Sequence, residues 1–174
     1  IHGFCLSKIR EYWPDNYHNY DILDEASRAA FILRGFNSSL GLTGLQAALK
    51  AERGKPVSRS ETFDQFVLAY DQLHEHNRFQ IELADELPPY RLGPEEREWC
   101  KEARLLTDVG NDESSQAFSR SAARYYANLR CRRFLDFSSS QTEFLRNLGR
   151  DRNLLQSLKA HQIHLVVDEA QDIN

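Results

Sequence analysis

Apolar positions recur at spacings of three and four through most of the chain, and short polar stretches rich in Pro, Gly, Asn and Ser interrupt them. Phe4 to Trp13 predicts a first helix, stopped by Pro14, whose ring cannot continue it. Tyr17 to Asp21 is a polar, aromatic connector. Asp24 is placed as an N-cap, and Ala26, Ala29, Ala30 and Leu33 carry a helix to Gly35. Thr43 with Gln46 has capping-box spacing and predicts a helix over Leu45 to Glu52. The clearest periodicity spans Glu61 to Leu87, where Phe63, Phe66, Val67, Tyr70, Leu73, Asn77, Ile81 and Ala84 fall on one face, and Pro88 ends it. Pro94 suits the first turn of the next helix, with Trp99, Ala103 and Leu106 on its buried side. Ser115 to Phe134 predicts another, striped by Phe118, Ala122, Tyr125 and Leu129. Ser140 and Glu143 form a second capping-box pattern, for a short helix ending near Gly149, and Asp151 to Ala160 is the last helix.

Only residues 163–167, IHLVV, read as a strand. The segment is β-branched and lacks polar alternation, as in a strand buried on both faces of a parallel sheet. Such a strand needs neighbours, and no other segment supplies them. The expected fold class is therefore mainly α, with one short terminal β-strand (163–167) belonging to an incomplete α/β unit.

Composition narrows the class without naming it. The 174 residues are 41% hydrophobic and 28% charged, as in a globular chain. The first residues lack the basic start and long apolar middle of a secretory signal. Three scattered cysteines argue against a disulfide framework and for a reducing, intracellular (cytoplasmic) setting. Methionine is absent, even at position 1, so the chain is expected to begin inside a longer reading frame or to have been processed. The net charge of -4 lends no support to nucleic-acid binding by bulk charge and leaves local patches as the route.

The terminal string LVVDEAQDIN carries the most chemistry. A parallel strand delivers its C-terminal end to the crevice where α/β proteins bind ligands. Asp168 there is a hard oxygen ligand suited to magnesium. Glu169 can orient or deprotonate a water, the division of labour that phosphoryl transfer requires. Two acids after a strand can also be the acidic first turn of a helix, favoured by its dipole; the full Asp-Glu-Ala-Gln-Asp string is more specific.

That string resembles the Walker B motif of the UvrD/Rep-type superfamily 1 DNA helicases. IHGFCLSKIREYW is similar to their Thr-x-His-x-Phe segment and the helix after it. YDILDEASRAAFI resembles the approach to their accessory domain 1B, and FLDFSSSQTEFL the segment where the chain returns to motor domain 1A. The resemblance implies three parts: 1–20 from motor domain 1A, 21–134 as accessory domain 1B, and 135–174 as the return to 1A. It implies that Asp168 holds the magnesium of Mg-ATP and that Glu169 is the catalytic carboxylate. Gln171 and Asp172 would link the nucleotide site to DNA-contacting surfaces. His2 and Phe4 would approach single-stranded DNA, and Asp136 and Phe137 would mark a structural return point. Ser138 and Ser139 stand where the family often has acids, and Ala170 where many relatives carry an aromatic residue. No Gly-x-x-x-x-Gly-Lys-Ser/Thr loop is present, so ATP and Mg2+ are expected to serve the parent enzyme, and this segment alone is expected neither to bind ATP well nor to hydrolyse it. The expected partners are DNA, at a single strand or fork, and the rest of the motor. The alternative is a non-catalytic helical module that binds DNA or protein.

Other residues invite a role. Arg124, Arg130, Arg132 and Arg133 cluster at the end of a tyrosine-rich helix. They suit phosphate contact, with Arg130, Arg132 and Arg133 as the DNA-binding candidates; they equally suit a helix C-terminus whose arginines cover apolar surface. Arg146, Arg150, Arg152 and Lys159 read as a solvated face. Tyr125 and Tyr126 could stack on bases, but Tyr125 lies on the core stripe. His74 and His76 point apart on a helix, are poor joint metal ligands and read as a solvated face. Cys100 and Cys131 have no partners at zinc spacing and read as buried thiols. The strand at 163–167, if uncovered, predicts a homodimer through its edge.

Overall fold

Eight labelled helices and two pairs of very short strands make up the described residues of a computed structural model, which covers 2–83 and 99–160, with side chains from Cys5 onward apart from that of Leu158. The mainly α class holds. Residues 161–174, with the expected strand, and Pro88 and Pro94 lie outside the described residues.

Helix α1 (His2–Tyr12) gives way at Pro14 to the single turn α2 (Pro14–Tyr17), with proline at a position where its missing N–H is harmless. β1 (Asp21–Ile22) follows, then α3 (Glu25–Gly35), whose cap is Asp24 as expected, its carboxylate accepting from the Ser27 N–H at 2.7 Å. Helix α4 (Leu42–Arg53) starts earlier than its sequence pattern suggested. Its cap is Gly41, at a left-handed φ of 70° that favours glycine, and a Cβ there would sit 2.7 Å from the Arg124 guanidinium. The expected Thr43–Gln46 box does not form; the Gln46 amide instead donates to the Val57 carbonyl at 2.8 Å.

Helix α5 (Arg59–Glu75) is shorter than the periodicity to Leu87 predicted. It opens with a true capping box, Ser58 and Glu61. It stops because Asn77 takes a left-handed φ of 51° and Phe79 folds back, its N–H reaching the Leu73 carbonyl at 3.0 Å. The chain then forms β2 (Ile81–Glu82), antiparallel to β3 (Arg104–Leu105). Residues 99–102 are helical; Trp99 and Ala103 are buried as expected, whereas Leu106 lies past the strand and is exposed.

Helix α6 (Glu113–Cys131) is the central element. Asp112 caps it, and Phe118, Ala122, Tyr125 and Leu129 face the core as the stripe predicts. β4 (Phe134–Leu135) pairs in parallel with β1, Asp21 opposite Phe134 and Ile22 opposite Leu135. Helix α7 (Phe137–Arg150) starts earlier than the expected Ser140 box: Asp136 and Ser139 close the capping box, placing Ser140 and Glu143 on a buried face. Helix α8 (Arg152–Ala160) completes the described chain.

The core is aromatic. Tyr70 and Tyr125 meet edge to face at 5.0 Å, and Phe66 meets Tyr125 at 5.7 Å. Each fully buried ring of this kind contributes about 1.5–3 kcal/mol relative to exposure. Around it α4 packs on α6, α5 touches α4, α6 and α7, and α1 lies along α7. The short ladders correct the expectation that only 163–167 forms strand. Each runs for two residues, too short to leave a periodic trace in sequence.

Candidate nucleic-acid interface

The β1–β4 ladder sets the place of the basic cluster, because it holds the C-terminal end of α6 against residues 20–23. The Asp21 N–H donates to the Arg133 carbonyl at 2.9 Å, and the Leu23 N–H to the Leu135 carbonyl at 2.8 Å. Between helix and strand, Arg133 takes a φ of 58°, a left-handed step that a non-glycine residue rarely adopts.

The arginines part company at this corner. Arg130 turns inward. Its guanidinium lies 5.2 Å from the Tyr17 ring and 5.0 Å from the Tyr20 ring, and donates to Glu143 at 3.4 Å. Burial opposes its charge, but Tyr126 and the Glu143 carboxylate outweigh that, and its pKa is raised. Arg132 covers Phe31 at 5.3 Å, and Arg133 covers Tyr20 at 5.5 Å. Both are half-buried beside the ladder. Arg124 reaches over Gly41 instead. The cluster thus fits the reading of arginines that cover aromatic surface, and two of them remain only half-buried.

Glu143 is the hub that pattern reading missed. It is 2% exposed, yet it accepts from the Tyr17 and Tyr126 hydroxyls, from Arg130, and from Arg146 at 2.8 Å. Burial alone would raise its pKa; Arg130, Arg146 and the two phenols outweigh that and lower it, so the carboxylate is charged. Burial and the neighbouring Glu143 raise the pKa of Tyr17, which therefore stays a donor. Asn147 donates to the Tyr17 oxygen at 3.0 Å. One carboxylate so ties α2, α6 and α7 together. Arg146, expected on a solvated face, belongs to this buried set.

A second polar centre lies behind it. Asp136, fully buried, caps α7 and accepts from the Tyr125 hydroxyl at 2.8 Å. Arg28 stands 3.3 Å from Asp136, at an angle that makes an ion pair rather than a hydrogen bond, and grips Asp71 with two bonds of 2.7 and 3.0 Å. Ser138 donates to Asp71 at 2.6 Å, and Ser139 exchanges bonds with Asp136. Ser138 and Ser139 therefore have polar work in this centre.

His74 corrects a second expectation. It is 4% exposed rather than solvated, stacks on Phe79 at 4.0 Å and bonds the Thr142 hydroxyl at 2.6 Å. His76 is exposed. Tyr125 and Tyr126 are both buried, which removes them as platforms for bases. Trp13, Asn147, Arg150, Asp151, Arg152 and Asn153 line a cleft of about 450 Å³ at the far end of α7. Among the described residues no group of three His, Cys, Asp or Glu could hold a metal ion, and no helix is long and apolar enough to cross a membrane.

Asp168, Glu169, Gln171 and Asp172 lie outside the described residues. His2 and Phe4 stand in the first turn of α1, of which the backbone alone is described. The Glu143 hub joins residues as far as 126 positions apart, and no local pattern signals such a meeting.

A profile of the UvrD/REP helicase N-terminal domain matches residues 1–174 of the chain. Neither the curated proteins nor the solved structures contain a match.

Proposed function

The chain belongs to the UvrD/REP helicase N-terminal domain family, a family of DNA helicases, and from that premise we propose that it forms accessory domain 1B of an ATP-dependent DNA helicase with flanking parts of motor domain 1A. Residues 21–134 are the accessory domain, and 1–20 and 135–174 are the flanking parts. The match across the whole chain carries this reading. The parallel β1–β4 ladder supports the boundaries, since it clamps together the two points where the chain enters and leaves the helical body.

In the parent motor, ATP with Mg2+ supplies the free energy for translocation. Asp168 would bind the magnesium ion, as a hard carboxylate does, and Glu169 would take the proton of the attacking water. Gln171 and Asp172 would pass the state of that site to the DNA-contacting surfaces. His2 and Phe4 would meet the single strand. Arg132 and Arg133, half-buried beside the ladder, would contact phosphates, while Arg130 would hold their helix end in place through Glu143.

The acid pair is tested in the intact reading frame of the parent. Glu169→Gln keeps shape and removes the base; single-strand-stimulated ATP hydrolysis should fall by about 10²–10⁴, the usual contribution of a positioned base, while nucleotide binding persists. ATP turnover undiminished in that variant would sink the assignment.

A further inference from the structure

Cys100 and Cys131 stand 31 residues apart in sequence, and the fold brings their sulfur atoms to 3.6 Å, van der Waals contact. Both are buried, at 5% and 7% exposure, and neither is in a disulfide. The meeting has a structural cause. Ala123, Ala127 and Cys131 recur every fourth residue along α6 and form a strip of small side chains. That strip lets the segment with Trp99, Cys100 and Ala103 lie close against the helix, where Ile81, Leu83 and Leu105 close over it. Cys131 is the last residue of α6, just before the corner of Arg132 and Arg133.

We infer that Cys100 and Cys131 form a reversible dithiol–disulfide site, oxidised by thiol–disulfide exchange with a small-molecule disulfide. One cysteine thiolate attacks the reagent disulfide, forming a mixed disulfide and expelling one thiolate. The second cysteine, already in contact, attacks the protein-side sulfur of that mixed bond and expels the other thiolate. The protein loses two hydrogens, the reagent gains them as two thiols, and one internal S–S bond remains. The sulfurs have to close from contact to the bond length of about 2.05 Å. Cys5 takes no part: it belongs to α1 and lies outside the cluster that holds the pair. The bond would pin the segment before β3 to the end of α6. This site does not depend on the helicase reading.

The 174-residue chain is equilibrated in reduced and oxidised glutathione at graded ratios, alkylated, and examined by intact mass and peptide mapping. The expected oxidised species lacks two hydrogens, carries one alkyl group on Cys5, maps a Cys100–Cys131 link, and returns to three alkylated cysteines with dithiothreitol. Its melting temperature should rise by about 5–15 °C, as closure of a loop this long implies. Cys5→Ser should behave identically, whereas Cys100→Ser and Cys131→Ser should each stop at a glutathione adduct. A Trp13→Phe chain gives an optical readout, since Trp99 adjoins the new bond and its fluorescence should be quenched reversibly. Three alkylated cysteines at every ratio, persistent glutathione on both Cys100 and Cys131 in the unaltered chain, or a link through Cys5 would each overturn the inference. The mapping on the unaltered chain decides the matter even if a serine variant fails to fold.

Discussion

His74 shows at the residue scale what burial does to a titratable group. Burial is the main cause holding its pKa down at about 4; the acids Asp136 and Asp71 pull it up, and Arg28 and Arg146 push it down. Its Nδ1 meets Thr142, its ring stacks on Phe79 and meets Tyr70 at a tilt, and its Nε2 has no hydrogen-bond partner. The folded state therefore keeps it neutral, while an unfolded histidine protonates near pH 6.5. Above that pH the group adds no pH dependence. Below it the unfolded chain binds a proton that the folded chain refuses, and stability falls until the pH reaches about 4. By pH 5 the loss should be about 2 kcal/mol. Urea denaturation at pH 7.5 and pH 5 measures it beside His74→Phe, which keeps the ring stack and has no proton to take up. An equal loss in both proteins would place the effect elsewhere. The sequence held one signal of its burial, since His74 continues the line of Thr62, Phe66 and Tyr70 at the next fourth residue, close to a helix end that was itself not legible.

At the scale of elements, helix ends divide into those written locally and those set by tertiary contacts. Asp24, Asp112 and the Ser58–Glu61 pair cap helices through bonds within three residues, and the first of these was read correctly from sequence. Thr43 has the same local signature as Ser58 and caps nothing, since Gly41 turns the chain one residue before α4 begins and Gln46 is drawn away to Val57. The two residues thus make a direct comparison. Ser58→Ala should destabilise the fold by about 1 kcal/mol, and Thr43→Ala should stay within about 0.5 kcal/mol of the parent. Thermal or urea unfolding of the two variants checks this; equal losses would restore Thr43 as a cap. The stop of α5 was hidden for another reason. Ile81 lies in register with the helical stripe, but Phe79 gains more by folding back on Tyr70 and Tyr126 than by extending the helix. Periodicity tells which face of an element is apolar, not what stands opposite it.

At the scale of the whole molecule, the chain makes one excursion from β1 to β4 and is clamped where it returns. The mainly α class and the stripe of α6 were legible because they repeat locally. The hub at Glu143, the Arg28–Asp71–Asp136 centre and the paired cysteines were not, because each joins residues separated by a fold rather than by a pattern. The clamp leaves Arg132 and Arg133 at the surface of a protein whose net charge is -4, so any attraction to DNA must come from a local patch. The most direct measurement is fluorescence anisotropy of the chain with a labelled single-strand/duplex junction, titrated over salt, beside the double variant Arg132→Ala, Arg133→Ala. Arg130 stays in place, because removing one partner of a buried ion pair costs about 3–5 kcal/mol and would disturb the fold itself. The account predicts salt-sensitive binding by the parent chain, weakened in the double variant with a salt slope smaller by about 2, one for each lost phosphate contact, and regained with lysine at both positions. No binding even at low salt, or binding that the variant leaves intact, would contradict it.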